Sequence, residues 1–224
     1  MYRIKCSDFH EPYLFLRKNT IVRFGNSNRL HGAILMSNPG SYSPKFAERN
    51  WQEYRDGKGA DKLWGWGFPD FTMQNVIQAL QVASNRAAYP LDGYIEIHNL
   101  SAIVQPKGED AEAYHQAAHD VLLSNGKQGI LTEEWLESRE SFLQYIRSLD
   151  DRFLIVGFAE RLFQTQQRKV QAWARECGNV YYAQDEAGRW SHPRRWRTDP
   201  RLANEIQGKL ERHFLKVKPP KLAN

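Results

Sequence analysis

Apolar and polar positions alternate along this chain in two different rhythms. Short continuous apolar runs, of a strand's length, are separated by longer stretches in which apolar residues return every three or four positions. Gly32-Ala33-Ile34-Leu35-Met36 is such a run and stops at Ser37-Asn38-Pro39-Gly40, which predicts a buried strand ending in a tight loop. Gly93-Tyr94-Ile95-Glu96-Ile97-His98 predicts a second strand, followed by Asn99-Leu100-Ser101. Phe153-Leu154-Ile155-Val156-Gly157 predicts a third, and Asn179-Val180-Tyr181-Tyr182-Ala183 a fourth. Between them, Met73, Val76, Ile77 and Leu80 share one helical face, so a helix is predicted over 71–84 with Asp70 or Thr72 as its cap. Further helices are predicted over 109–124, 132–149, about 160–175, and from Pro200 to Phe214. Tyr13–Leu16 and Thr20–Phe24 read as short strands or a packed arm, and 41–71 as a loop rich in glycine, proline and tryptophan.

Strands that alternate with helices predict a largely parallel sheet covered on both faces. The expected fold is therefore a three-layer α/β/α domain around a central, mostly parallel four-stranded sheet. The 224 residues suit one such domain, with its core at about 30–215, a short N-terminal arm and a basic C-terminal tail. Ligands of such sheets bind at the carboxyl ends of the strands. That rule gathers four strand tips around one crevice: Ser37-Asn38-Pro39-Gly40, Asn99-Leu100-Ser101, Gly157-Phe158, and the loop through His192.

Composition narrows the function classes. With 41% hydrophobic and 25% charged residues the chain is of globular type. No apolar run is long enough for a membrane helix and the N-terminus lacks a signal peptide's apolar stretch, so a cytoplasmic protein with no membrane partner is expected. Two cysteines, Cys6 and Cys177, rule out a four-cysteine zinc or iron–sulfur site within one chain. No phosphate-binding or dinucleotide fingerprint occurs, and no serine elbow. His115 and His119 stand at helical spacing, but the glutamate of a zinc-protease motif is missing, so they read as a solvated helix face. Neither metal nor cofactor is expected. The formal charge is +5. Its distribution says more: Arg189, Arg194, Arg195, Arg197 and Arg201 are interleaved with Trp190 and Trp196, a mixture suited to phosphates and bases.

Asn38-Pro39-Gly40 at the first strand's end and His192-Pro193-Arg194-Arg195-Trp196 after the last strand resemble the two motifs of the uracil-DNA glycosylase superfamily. Asn99 and Gly157 stand where that superfamily has a strand ending in asparagine and a strand ending in glycine that opens a helix. The order is similar over about 30–215. Ser37 departs from the usual glycine, Arg194-Arg195 from the usual small residues, and the loop 41–69, with Trp51, Trp64 and Trp66, is long. The chain is also similar to bacterial anti-phage glycosylases that attack hypermodified cytosine, such as glucosylated hydroxymethylcytosine.

The resemblance implies a metal-free, monofunctional, monomeric DNA glycosylase of uracil-DNA glycosylase-like fold. Its partner would be DNA, and its product an abasic site. Asn38 would hold the attacking water and His192 would donate to the departing base, while Ser37 or Asp70 stays open as an alternative holder of the water. Asn99 would read the base edge, with Ser37, Gly40 and Asp70 beside it and Phe68 or Phe71 stacked on the extruded base. Trp196 would fill the vacated stack, and Arg194, Arg195 and Arg197 would meet phosphates. The three loop tryptophans would accommodate a sugar on the base. A repair glycosylase for uracil or damaged bases is the alternative, as is a non-catalytic nucleic-acid-binding domain of the same fold.

Overall fold

The computed structural model of the chain describes residues 1–6, 9–40, 48–105 and 107–217. In chain order its strands and helices are β1 (Tyr2–Lys5), β2 (Tyr13–Leu16), β3 (Thr20–Arg23), β4 (Leu30–Met36), α1 (Glu48–Arg55), α2 (Phe71–Arg86), β5 (Tyr94–Asn99), α3 (Gly108–Ser124), α4 (Arg139–Ser148), β6 (Phe153–Val156), α5 (Gln164–Ala174), β7 (Val180–Tyr181) and α6 (Pro200–Lys216). Single 3-10 turns lie at Gln128–Ile130, Glu134–Leu136 and Pro193–Arg197.

The α/β class holds, but the central sheet has five strands rather than the expected four, in the order β3-β5-β4-β6-β7. The four predicted strands are mutually parallel. The fifth, β3, pairs antiparallel with β5 and makes the sheet mixed. Its residues alternate between half-buried and exposed, as on an edge strand with one wetted face. A separate two-stranded sheet pairs β1 with β2.

Side chains of a strand point alternately to opposite faces, and this alternation builds the layers. Ile34 and Met36 of β4, Ile95 and Ile97 of β5, and Phe153 and Ile155 of β6 pack with Val76 and Leu80 of α2 and Ile206 and Leu210 of α6. Ala33 and Leu35 of β4 and Leu154 and Val156 of β6 face the other way, onto Phe142 of α4 and Val170 of α5. A third apolar cluster joins Leu14 and Leu16 of β2 to Ile103 and to Leu122 of α3.

Local chemistry explains where element boundaries depart from expectation. The helix expected over 132–149 is broken because Ser138 caps a fresh start, its side chain accepting from the Ser141 N–H at 3.0 Å. The helix expected from 160 begins only at Gln164, because Phe163 before it is left-handed at φ 50°. No helix among the described residues is long and apolar enough to cross a membrane.

Candidate active site

The carboxyl ends of β4, β5 and β6 meet through backbone hydrogen bonds. Beyond β4, the Ser37 carbonyl accepts from Ser101 N–H at 3.1 Å, and the Met36 carbonyl accepts from Leu100 N–H at 2.8 Å. On the other side, Gly157 N–H donates to the Leu35 carbonyl at 3.0 Å. Ser37 is fully buried, and its Oγ accepts from Ala159 N–H at 2.9 Å. Ser37 thus staples the tip of β4 to the chain leaving β6.

Asn38 is half-buried. Its Nδ2 donates to the Gln105 carbonyl at 2.9 Å, which fixes the amide plane and leaves Oδ1 on the opposite side. Pro39 is held from below by Arg17, a buried arginine whose Nη2 donates to the Pro39 carbonyl at 3.0 Å. Gly40 takes φ +63°, a left-handed turn that side chains rarely adopt. Asn99 pairs in register with Met36 and shares its sheet face with Ile95 and Ile97, the face covered by α2. It is 5% exposed, and its Oδ1 has no hydrogen-bond partner among the described residues. A buried amide oxygen left unpaired costs about 1–3 kcal/mol.

His192 comes to this edge through close packing against Gly157. A Cβ on Gly157 would lie 2.6 Å from the Ser191 carbonyl oxygen, 2.9 Å from Pro193 Cδ and 3.6 Å from His192 Cα. Only glycine lets the two backbones approach so closely. From the other side, Asn75 of α2 donates its Nδ2 to the Pro193 carbonyl at 3.0 Å. His192 is the N-cap of the 3-10 turn, its Nδ1 accepting from Arg194 N–H at 3.3 Å. With Nδ1 used as an acceptor, the neutral ring carries its proton on Nε2. Burial pushes its pKa down to about 4, against the opposing pull of the Asp70 carboxylate and with a smaller push from Arg194. At neutral pH His192 is therefore an uncharged N–H donor. Asp70 itself caps α2, accepting from Met73 N–H at 2.8 Å, so the helix N-terminus and the histidine share one carboxylate neighbour.

Backbone contacts thus put Ser37, Asn99 and the Gly157–His192 packing at one edge of the sheet, with Asn38-Pro39-Gly40 following Ser37 in the chain and the Asp70 carboxylate acting on His192. Phe68 and Phe71 stand out at 74% and 66% exposure, and the Arg197 guanidinium lies 5.5 Å over the Phe71 ring. Gly157 does not open a helix directly: Phe158 first bridges to Ser191, and α5 follows later.

Several expectations are corrected. Trp196 is not an exposed wedge: it is 3% exposed and packs in the core with residues of α2 and α6. Trp190 is likewise buried, stacked on Tyr182 with centroids 3.7 Å apart. In both cases tertiary packing claimed a ring that its arginine-rich neighbours suggested was on the surface. Arg195 is committed to Asp185 at 2.8 Å, Arg189 to Asp185 and Glu160, and Arg201 to Glu186 and Asp199. Arg194 and Arg197 are exposed and carry no ion pair among the described residues. The three loop tryptophans differ in their surroundings. Trp51 stacks on Tyr54 near Phe15, whereas Trp64 and Trp66 are 65% and 73% exposed. Ser41 and Ser43, which sequence order sets near His192, lie outside the described residues.

The His115 reading also changes. His115 is turned inward, its Nδ1 bonded to Ser101 Oγ at 2.8 Å, and burial lowers its pKa to about 4. It braces the strand tip that carries Ser101 rather than facing solvent. Among the described residues no group of histidine, cysteine, aspartate and glutamate side chains is arranged to hold a metal. His98 lies between two carboxylates, with Nε2 3.3 Å from Glu96 and Nδ1 3.3 Å from Glu133. Burial alone would lower its pKa, but those two carboxylates raise it. It lies on the sheet face away from α2. A groove lined by Gln81, Ser84, Asn85 and Tyr89 sits at the far end of α2, away from the crevice.

Arg17, Asn75 and Gln105 were not legible as site residues. Arg17 and Gln105 lie far from the motifs in sequence, and Asn75 was one polar position beside an apolar helix stripe. The chain matches no protein-family model, no curated protein and no solved structure.

Proposed function

We propose that the protein is a monofunctional DNA glycosylase that hydrolyses the N-glycosidic bond of an extruded base and leaves an abasic site. We also propose that its three layers are of the uracil-DNA glycosylase type, and that it acts as a monomer in the cytoplasm. The observation that carries the reading is a neutral histidine, His192, whose Nε2–H has no partner among the described residues, beside a strand tip bearing the fixed amide of Asn38.

The residues suit the charge that develops. As the C1′–N bond breaks, its electron pair leaves with the base and positive charge grows on the sugar. A neutral imidazole N–H donates to a base carbonyl oxygen as that oxygen becomes negative, without adding a second positive charge next to the sugar. Asn38 Oδ1 orients a water toward C1′; an amide is too weak a base to deprotonate it, so the water's proton passes to solvent after the oxygen has bonded to carbon, and the departed base anion takes up a proton from solvent. Asn99 Oδ1 accepts from the base edge and relieves its own unpaired state. Asp70 contributes negative charge near the forming cation, and Phe68 or Phe71 supplies a ring for the base to stack on.

The test is abasic-site formation, read as alkali-labile cleavage. Substrates are oligonucleotides containing uracil, hydroxymethylcytosine or glucosylated hydroxymethylcytosine. At least one should be cut. Asn38→Ala and His192→Ala should each slow cleavage by roughly 100-fold or more, with DNA binding retained. If both variants match the parent on every cleaved substrate, the assigned roles fail. If none of the substrates yields abasic sites, the reaction is wrong for these bases.

A further inference from the structure

We infer that the segment Trp64–Phe71 is a stacking platform for single-stranded nucleic acid that leads the strand to the His192 crevice. The platform stands on its own observations, whereas the conclusion that a single strand is also the substrate rests on the glycosylase reading.

Four large rings are exposed within eight residues: Trp64 at 65%, Trp66 at 73%, Phe68 at 74% and Phe71 at 66%. Rings of this size normally contribute their area to a core, and four of them exposed in one short segment mark a binding face. Only Gly65 and Gly67 separate the first three, so no side chain stands between neighbouring rings. Between Leu63 and Pro69 the segment has no carboxylate, amide or hydroxyl side chain. Such a surface offers stacking without hydrogen-bond readout, which is what sequence-tolerant binding of unpaired bases requires. A sugar ligand would call for polar side chains between the rings.

Charge favours the same occupant. Arg197 lies over Phe71, and both Arg197 and Arg194 are exposed with no ion pair among the described residues. A guanidinium over Phe71 and a second in the same 3-10 turn, neither in an ion pair among the described residues, match a phosphate backbone whose bases are stacked. The direction of the row also matters. It runs into the start of α2 at Phe71, and Asn75 of that helix donates to the Pro193 carbonyl at 3.0 Å, so a strand lying on the rings arrives beside the His192 turn.

The burial of Trp196 bears on the substrate. Under the glycosylase reading, taking a base from a duplex costs unstacking and unpairing that an already single-stranded base avoids, and the one aromatic ring in the 3-10 turn at His192 is locked in the core, where it cannot take the place of an extruded base.

The experiment is a fluorescence-anisotropy titration with a labelled oligothymidylate of about 15 nucleotides, and with a hairpin duplex of equal length. Oligothymidylate contains none of the bases in the cleavage panel, so binding is read separately from excision. The parent should bind the single strand at least tenfold more tightly than the hairpin. The Trp64→Ala/Trp66→Ala variant should lose tenfold or more of the single-strand affinity while melting at the parent's temperature, because both rings are exposed. Arg194→Ala/Arg197→Ala should flatten the salt slope by about 1.4, two phosphates at about 0.7 each. An unchanged affinity in the tryptophan variant, or a hairpin bound as tightly as the single strand, overturns the inference even if excision is found. If the protein binds oligothymidylate through Trp64 and Trp66 but produces no abasic sites, the platform stands and the glycosylase reading falls.

Discussion

Gly157→Ala tests the contact that brings His192 to the strand tips. The added methyl would meet the Ser191 carbonyl oxygen at 2.6 Å and Pro193 Cδ at 2.9 Å. One is a backbone atom and the other belongs to a ring closed on the backbone, so no rotamer change relieves either. Unstrained contacts of this kind lie at about 3.5 Å, so the loop must retreat by roughly 0.6–0.9 Å. It is held in place by Phe158 N–H on the Trp190 carbonyl at 3.3 Å, Ser191 N–H on the Ala183 carbonyl at 2.8 Å, and Asn75 Nδ2 on the Pro193 carbonyl at 3.0 Å. Overpacking against such a frame costs about 1–3 kcal/mol. In a chain of this size that lowers Tm by roughly 2–12 °C. In urea the midpoint should fall while the slope stays constant. A displacement near 1 Å at the histidine should also reduce cleavage by up to about 100-fold. Gly178→Ala is the control, since nothing lies within 4 Å of its would-be Cβ and its φ is not positive; it should stay within about 0.5 kcal/mol of the parent. If Gly157→Ala is as stable and as active as Gly178→Ala, the close approach of β6 to the His192 turn is not as described.

Other outcomes follow from the same geometry. Trp196→Ala should lose about 3–5 kcal/mol in urea melts, whereas Trp66→Ala should change stability by less than about 0.5 kcal/mol; equal effects would mean that Trp196 is not a core residue. His115, His192 and His213 all have folded pKa values near 4, below the ordinary 6.5, because burial disfavours their charged forms. Their contribution to stability is therefore complete above about pH 6.5 and is lost as pH falls toward 4. Imidazole NMR shifts should show these three rings still neutral at about pH 5.5, and a His192 midpoint at or above 6.5 would remove the neutral-donor argument. His98 has the opposite sign: its pKa is raised, so its contribution is full below about 6.5 and declines as pH rises through the folded value. Asp70→Asn should keep the helix cap, since asparagine caps as well as aspartate, and so hold stability within about 0.5 kcal/mol. The same change removes the carboxylate whose charge raises the His192 pKa, so the NMR midpoint should fall further; a midpoint that stays or rises would separate Asp70 from His192.

The sequence alone determined the four parallel strands and the tips they present. Continuous apolar runs such as Ala33–Met36 and Phe153–Val156 are legible because a strand buried on both faces leaves no polar position in its pattern. The loops at Asn38 and His192 were legible because proline and glycine punctuate the chain locally. Asp70 was legible as a cap, since a carboxylate before an apolar helical stripe satisfies free N–H groups wherever it occurs.

Only the tertiary structure decided the rest, because it depends on partners far away in sequence. The edge position of β3 was set by pairing with β5, and four residues cannot announce their partner. Trp196 and Trp190 went into the core because α2, α6 and Tyr182 offered them apolar surface, which their arginine neighbours conceal in the sequence. Arg17 and Gln105 reached the Asn38-Pro39 loop across 22 and 67 residues of chain, and Asn75 reached Pro193 across 118. The tautomer and neutrality of His192 likewise came from a backbone N–H and from burial, neither of which the residue's own identity records.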